Sequence, residues 1–353
     1  MKSISRPLTA ALTIWSFAGL AGFTTSTTSA ASMTDYHLRK EIPIGGQAGW
    51  DYLSVDPGSR QLFVSHGTSV AVVDIDKETV VGEIEDTPGV HGIAIAPELS
   101  RCFVSNGREN KASIVDLKTL KTLSKVETGE NPDAILYEPV QQEVYTFNGG
   151  RSKSATVFEA KTGKVVTTIK LSGKPEFAQT DGKAGLIFCN IEDKSEVAVI
   201  DIKKHEVVNS WPIKPGESAS GLAIDVPHHR LFAGCDNKLM VMMDNTTGKV
   251  VGSVPIDEGV DACAFDPDLQ LAFSSCGGGN GSIIIAHEDG PDKLTVVQTL
   301  KTEPRARTMT IDPKTHNLYT ATAKFEPATG GGRPKAIAGT FKVLVYGIGG
   351  VGN

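Results

Sequence analysis

The chain repeats itself seven times. Each repeat holds an apolar strand, a tight turn and a second strand. The turn markers Asp56-Pro57, Ala96-Pro97, Glu138-Pro139, Asp181-Gly182, Asp225, Asp266-Pro267 and Asp312-Pro313 stand 40–46 residues apart. An independent marker keeps step with them. The third apolar runs end at Asp74, Asp116, Glu159, Asp201, Asp244 and His287, each 42 or 43 residues after the last. A fixed period in the range of about 20–50 residues means one supersecondary unit stacked on copies of itself.

What the unit contains follows from its pattern. Val, Ile, Thr and Phe alternate with polar residues, and no useful length of helical periodicity appears. After the third run come Lys/Thr/Gly turns such as Lys161-Thr162-Gly163-Lys164, then a fourth run such as Val165-Val166-Thr167-Thr168-Ile169. Four antiparallel strands at this period make a propeller blade. The expected fold is all-β, a seven-bladed β-propeller of four-stranded antiparallel blades. The seventh repeat lacks a fourth strand, while a spare run, 36–42, precedes the first. Inserting that N-terminal strand into the last blade would close the ring and remove an exposed edge.

Residues 1–31 stand outside the repeats. Lys2 and Arg6 precede an apolar run at 8–23, and Ser29-Ala30-Ala31 offers a small-residue cleavage site. This is the pattern of a secretory signal peptide. The run is shorter than the roughly 20 residues a membrane span needs. The domain division is therefore a signal peptide at 1–31 and a single propeller at 32–353, expected to be periplasmic or secreted, without a membrane span and monomeric. The chain carries 35 Lys+Arg against 41 Asp+Glu with no basic block, so no nucleic-acid partner is expected. The five cysteines form no C-x-x-C motif. Most are expected to be free thiols, although Cys263–Cys276 and Cys235–Cys276 are the pairs worth checking.

The second strands carry a family signature. Phe63-Val64-Ser65-His66, Phe103-Val104-Ser105-Asn106, Tyr145-Thr146-Phe147-Asn148 and Ile187-Phe188-Cys189-Asn190 look like degenerate Tyr-Val-Thr-Asn repeats. Asn131-Pro132-Asp133-Ala134 and Lys174-Pro175-Glu176-Phe177-Ala178 match the Pro-x-Gly-Val first strand of the same family, with Gly replaced. Over 32–353 the chain resembles the YncE-like, YVTN-repeat seven-bladed propellers exported by bacteria. The resemblance implies fold and location. It implies little chemistry, because such propellers host binding proteins, electron-transfer subunits, lyases and lactonases.

Positional arithmetic supplies the candidate site. Five residues before the turn markers stand Asp51, His91, Asp133, Glu176, Ser220, Asp261 and Arg307; ten after them stand His66, Asn106, Asn148, Ile191, Cys235, Cys276 and Thr322. Antiparallel pairing about the turn would set the members of each pair opposite one another, so both sets should ring the channel mouth. Asp51, His91, Asp133, Glu176, Asp261 and Arg307 are the candidate ligand-binding residues. His66, His91, Asp51 and Asp133 are the candidate ligands of a divalent metal ion, with Asn106 and Asn148 as neutral partners. Arg307 would pair with Asp261 or meet a ligand carboxylate. A ring of solvated charges is the structural alternative. The insertion at 324–339, with Gly330-Gly331-Gly332-Arg333-Pro334-Lys335, could lie over the mouth as a lid carrying Arg333 or Lys335.

Two function classes follow. One is a binding propeller that holds a small molecule, a cation or a protein segment at the mouth. The other is a metal-assisted lyase or lactonase-type enzyme on the same face. G-x-S-x-G, H-E-x-x-H and EF-hand loop motifs are absent from the sequence.

Overall fold

The computed structural model describes residues 35–47, 49–327 and 334–349. The signal peptide assigned to 1–31, and Arg333 with the glycines before it, lie outside the described residues. The described chain forms 28 strands in seven sheets of four, a ring of blades in which only two single-turn helices interrupt the strands. Six sheets run in chain order from the inside outward. The seventh reads differently: Tyr36–Pro43 is its outermost strand, hydrogen-bonded to the last strand, Lys342–Ile348. Tyr36 pairs with Ile348 and Pro43 with Lys342. The ring is closed by its own N-terminus, as the missing strand implied.

Both sequence markers are turns made by a side chain. Asp56 accepts the Gly58 N–H at 2.9 Å, and Asp266 accepts those of Asp268 and Leu269. Asp74, Asp116, Asp201 and Asp244 do the same for the two or three residues after them. A short carboxylate that hydrogen-bonds its own backbone fixes a tight turn without help from the rest of the chain. The period is legible because it is written in these turns.

The blades pack through one aromatic per repeat. Phe63, Phe103, Tyr145, Phe188, Phe232, Phe273 and Tyr319 each stand seven residues past their turn marker, and all are buried. They and their neighbours on the second and third strands build seven apolar clusters, one at each seam between blades. The fourth strands take the solvent side and leave Val80, Val81, Leu123, Val165 and Val166 exposed. All five cysteines lie in the packed strands as free thiols, so neither checked pair is bridged. Among the described residues no helix is long and apolar enough to cross a membrane.

Candidate site at the channel mouth

The innermost strands begin on one face of the ring, and that face opens into a cavity of about 930 Å³. Its wall includes Asp51, Asp133, Glu176, Ser220, Asp261 and Arg307. Tyr52, Lys174 and Arg305 also line it, and the position arithmetic missed them.

The expected second ring does not line the mouth. In blades two to six the first strand carries a one-residue irregularity just after the ring residue, so the register slips. Asn106 pairs with Val90 rather than His91, Asn148 with Pro132 rather than Asp133, and Cys276 with Val260 rather than Asp261. Asn106, Asn148, Ile191, Cys235 and Cys276 are consequently buried in the blades, and Thr322 of blade seven is buried without such an irregularity, donating to the Pro304 carbonyl. A bulge inserts one unpaired residue and re-aims its side chain, which is why such irregularities gather near functional sites. Here it frees the ring residue from the ladder and leaves its former partner in the core. Strict alternation in the sequence gives no sign of this.

Hydroxyl and amide groups hold the bulged segments in place. Ser105 accepts the Gly92 N–H at 2.8 Å and donates to the Asp133 carbonyl at 2.5 Å, tying blade two to blade three. Ser275 donates to the Arg307 carbonyl, Asn190 to those of Ser220 and Gly221, and Thr308 to that of Asp51. The ring segments of neighbouring blades are thus tied at four of the seven seams, and the serine and asparagine of the family-like repeats belong to these ties.

From Asp261 round to Asp133 the ring alternates acidic and basic side chains. Arg307 pairs with Asp261 on one side and lies 3.4 Å from Asp51 on the other. Asp51 Oδ2 meets His91 Nδ1 at 2.7 Å, and His91 Nδ1 lies 3.8 Å from Asp133. Burial pulls the His91 imidazole down, but the Asp51 hydrogen bond and the charges of Asp133 and Asp51 outweigh it and raise the pKa. Asp133 is pushed the other way for an acid: burial first, then the Asp51 charge, raises it. Burial and the charge of Asp133 also push Glu176 upward, against an ion pair to Lys174 at 2.5 Å. Of the ring acids, Asp133 has the weakest counter-charge.

One oxygen of Asp51, one of Asp133 and a nitrogen of His91 lie within 4.8 Å of one another. These are three of the four residues expected to hold a metal. His66, the fourth, is elsewhere: its ring stacks on Phe341 at 4.9 Å and lies against Gly46. Its stacking on the blade-seven strand is a packing role that spacing alone could not distinguish from ligation.

The blade-seven insertion does reach the mouth. Phe325 bridges to Ala336, Glu326 N–H donates to the Lys335 carbonyl at 2.8 Å, and Phe325, Pro334 and Ala336 line the cavity. Phe325 lies over the Arg305 guanidinium at 4.6 Å. The cations lining the mouth are Lys174, Arg305 and Arg307, whereas Lys335 is exposed away from the cavity lining.

Gly107 sets the pose of His91. A Cβ there would fall 2.6 Å from His91 Nε2 and 2.7 Å from Asn131 Oδ1. The Gly107→Ala variant should therefore push the imidazole off Asp51 without disturbing any blade seam. With that hydrogen bond weakened, the His91 pKa should fall from its raised value. A pH titration of the His91 ring signals by NMR reads this, and an unchanged midpoint would refute the clamp.

No protein-family model matches the chain, and no curated protein matches it. Among solved structures, the Kuenenia stuttgartiensis hydrazine synthase is similar, with a TM-score of 0.67 and 17% identity over 85% of this chain and 96% of that one. At that identity the likeness is one of fold: the chain is a seven-bladed β-propeller.

Proposed function

We propose that this chain is an exported, YVTN-type propeller that binds a small cationic ligand at the channel mouth, with a divalent metal ion as the cation its donors suit best. The reading rests on one observation, the convergence of His91 on Asp51 and Asp133, two carboxylates that line a cavity of about 930 Å³. Two carboxylates and an imidazole suit borderline divalent ions such as zinc or manganese. Export rests on the leader-like residues 1–31, and the YVTN assignment on the second-strand repeats and the aromatic at each seam.

The cavity is larger than an ion needs. An organic molecule fits beside the cation, with Arg305 and Arg307 placed to meet its carboxylate and Phe325 its apolar part. That room favours a second reading, a metal-assisted lyase or lactonase-type enzyme in which the same three residues hold the ion and the arginines orient the substrate.

Titration of chelator-stripped protein with zinc and manganese separates binding from a merely solvated ring. Wild type should bind at the mouth, and His91→Ala or Asp51→Asn should weaken that event by more than about tenfold, since each removes a ligand. Binding should also fade as pH drops through the His91 range, because a protonated imidazole cannot ligate. If wild type and both variants titrate alike, the cation reading is wrong.

A further inference from the structure

A second cluster stands at the opposite face, in the seam between blades five and six. In blade five, Ser220 lines the cavity and Asp225 ends the same strand five residues on. At roughly 3.3 Å per residue, Asp225 is about 17 Å from the mouth. It is the turn-marker carboxylate of its blade. Its side chain accepts from His228 Nδ1 at 2.6 Å, and Glu288 of blade six completes the group. One donor atom each from Asp225, His228 and Glu288 lie within 4.8 Å of one another.

The composition of this seam is the unusual point. At the equivalent place, the turn-marker Asp312 of blade seven receives Arg60 from blade one at 2.7 Å. Asp266 of blade six receives His316 from blade seven at 2.6 Å. In both, the next blade supplies a basic side chain. For Asp225 the next blade supplies Glu288, a second acid. Glu288 is 6% exposed, and its Oε2 is buried with no hydrogen-bond partner. Arg230 is nearby but committed: it binds Asp244 at 3.1 Å and the carbonyls of His228, His229 and Pro291. A buried acid facing a buried acid is costly unless a proton or a cation stands between them. Burial and then the Asp225 charge do push the Glu288 carboxyl upward.

We propose that Asp225, His228 and Glu288 form a second binding site, for a divalent transition cation such as zinc, that staples blade five to blade six. A metal takes the place of the basic side chain that Arg60 and His316 supply at two other seams, and gives the buried Glu288 carboxylate a partner. Ligand distances of about 2.0–2.2 Å set donors roughly 3.2–3.5 Å apart, so the ion must part His228 from Asp225 by under about 1 Å. His228 can move, because it sits in a turn with its side chain 55% exposed. That exposure also gives the ion an open path and leaves positions for water.

The site is independent of the cavity, and its test keeps the two apart. Chelator-stripped His91→Ala protein, in which the mouth site is disabled, is titrated with zinc by calorimetry. One equivalent should bind. Adding His228→Asn or Glu288→Gln to that background should weaken binding by more than about tenfold, the least expected for losing a ligand when outer-shell partners alone contribute that much. His228→Asn keeps a side-chain amide that can donate to the buried Asp225 carboxylate, and the metal-free melting temperature of each variant is compared with that of His91→Ala, so that a folding defect is told apart from a lost ligand. Zinc should raise the melting temperature of His91→Ala and not of the double variants. Absence of a zinc equivalent in His91→Ala, or equal titration of all three proteins, overturns the site.

Discussion

Removing residues 36–43 should abolish the stable fold. That strand contributes a full ladder to Lys342–Ile348 and the buried side chains of Tyr36 and Ile42, each 1% exposed. Tyr36 alone packs edge-on against Phe273 at 5.5 Å, donates its hydroxyl to the His316 carbonyl at 3.0 Å, and through its backbone N–H and carbonyl bonds both ends of the Gln298 side-chain amide of blade six. Burying the two side chains is worth about 1.5–3 kcal/mol each, and each net backbone bond about 0.5–1.5 kcal/mol. Together these approach the roughly 5–15 kcal/mol by which whole proteins are stable. The deletion also bares Lys342–Ile348 as an edge that can pair with another copy. Aggregation or loss of the cooperative thermal transition is the expected outcome. Tyr36→Ala isolates one part and should cost about 3–5 kcal/mol, read as a shift in the denaturant midpoint. A rescue makes the argument specific. Because Tyr36 pairs with Ile348, residues 36–43 grafted behind Gly349 through a two-residue hairpin turn should refill the position and restore the transition. A truncated protein that melts like wild type would show that the closure carries no stability.

The sequence was most legible where structure is local. Turn carboxylates such as Asp74 and Asp116 need only their own next residues, so their period reported blade count correctly. The seam aromatics share that regularity, each at a fixed offset from a turn, but only Phe63, Phe103, Tyr145 and Phe188 fall in segments that the family-like repeats marked. The first ring was also placed, since strand length carries a residue such as Asp51 or Asp261 from the turn to the mouth whatever the detailed pairing. What could not be read was the bulge. One extra residue in a strand leaves the alternating pattern intact on either side, yet it sends Asn106 and Asn148 into the core. His66 shows a related limit, because its fate depends on Phe341, 275 positions later in the chain. Lys174, Arg305 and Tyr52 were missed because they flank the ring residues rather than occupying the repeated offset. The acid-on-acid seam at Asp225 and Glu288 was hidden too, for it arises only when two blades dock.

Asp133→Asn should make the protein more stable and less able to bind a cation. The Asp133 carboxyl is held at about 6, against an ordinary value of 3.8, by burial first and then by the Asp51 charge; His91, Lys174 and Arg307 pull it down less strongly. An acid with a raised folded pKa binds more protons folded than unfolded between the two values. Its contribution to stability is therefore intact below about pH 4 and is lost as pH rises to about 6. A shift of this size corresponds to about 1–3 kcal/mol at neutral pH. Asparagine keeps the shape and removes the charge, so it escapes that loss. For a domain of this size, at about 2.1 cal/mol/K per residue, the metal-free variant should melt about 1.5–5 °C above wild type at pH 7.5, and the gap should close near pH 4. His91 opposes the effect while it is protonated, because Asp133 is one of the charges that raise its pKa; that stability is present below about 6.5 and is lost as pH rises through the raised folded value, so the gain is read on the alkaline side of the His91 titration. Adding zinc should then reverse the order: a cation between Asp51 and Asp133 stabilises wild type and has no such carboxylate to grip in the variant. A residue retained for packing would show the opposite, a variant less stable at every pH. Matching melting curves of wild type and Asp133→Asn from pH 4 to pH 7.5, with and without zinc, would remove Asp133 from the site.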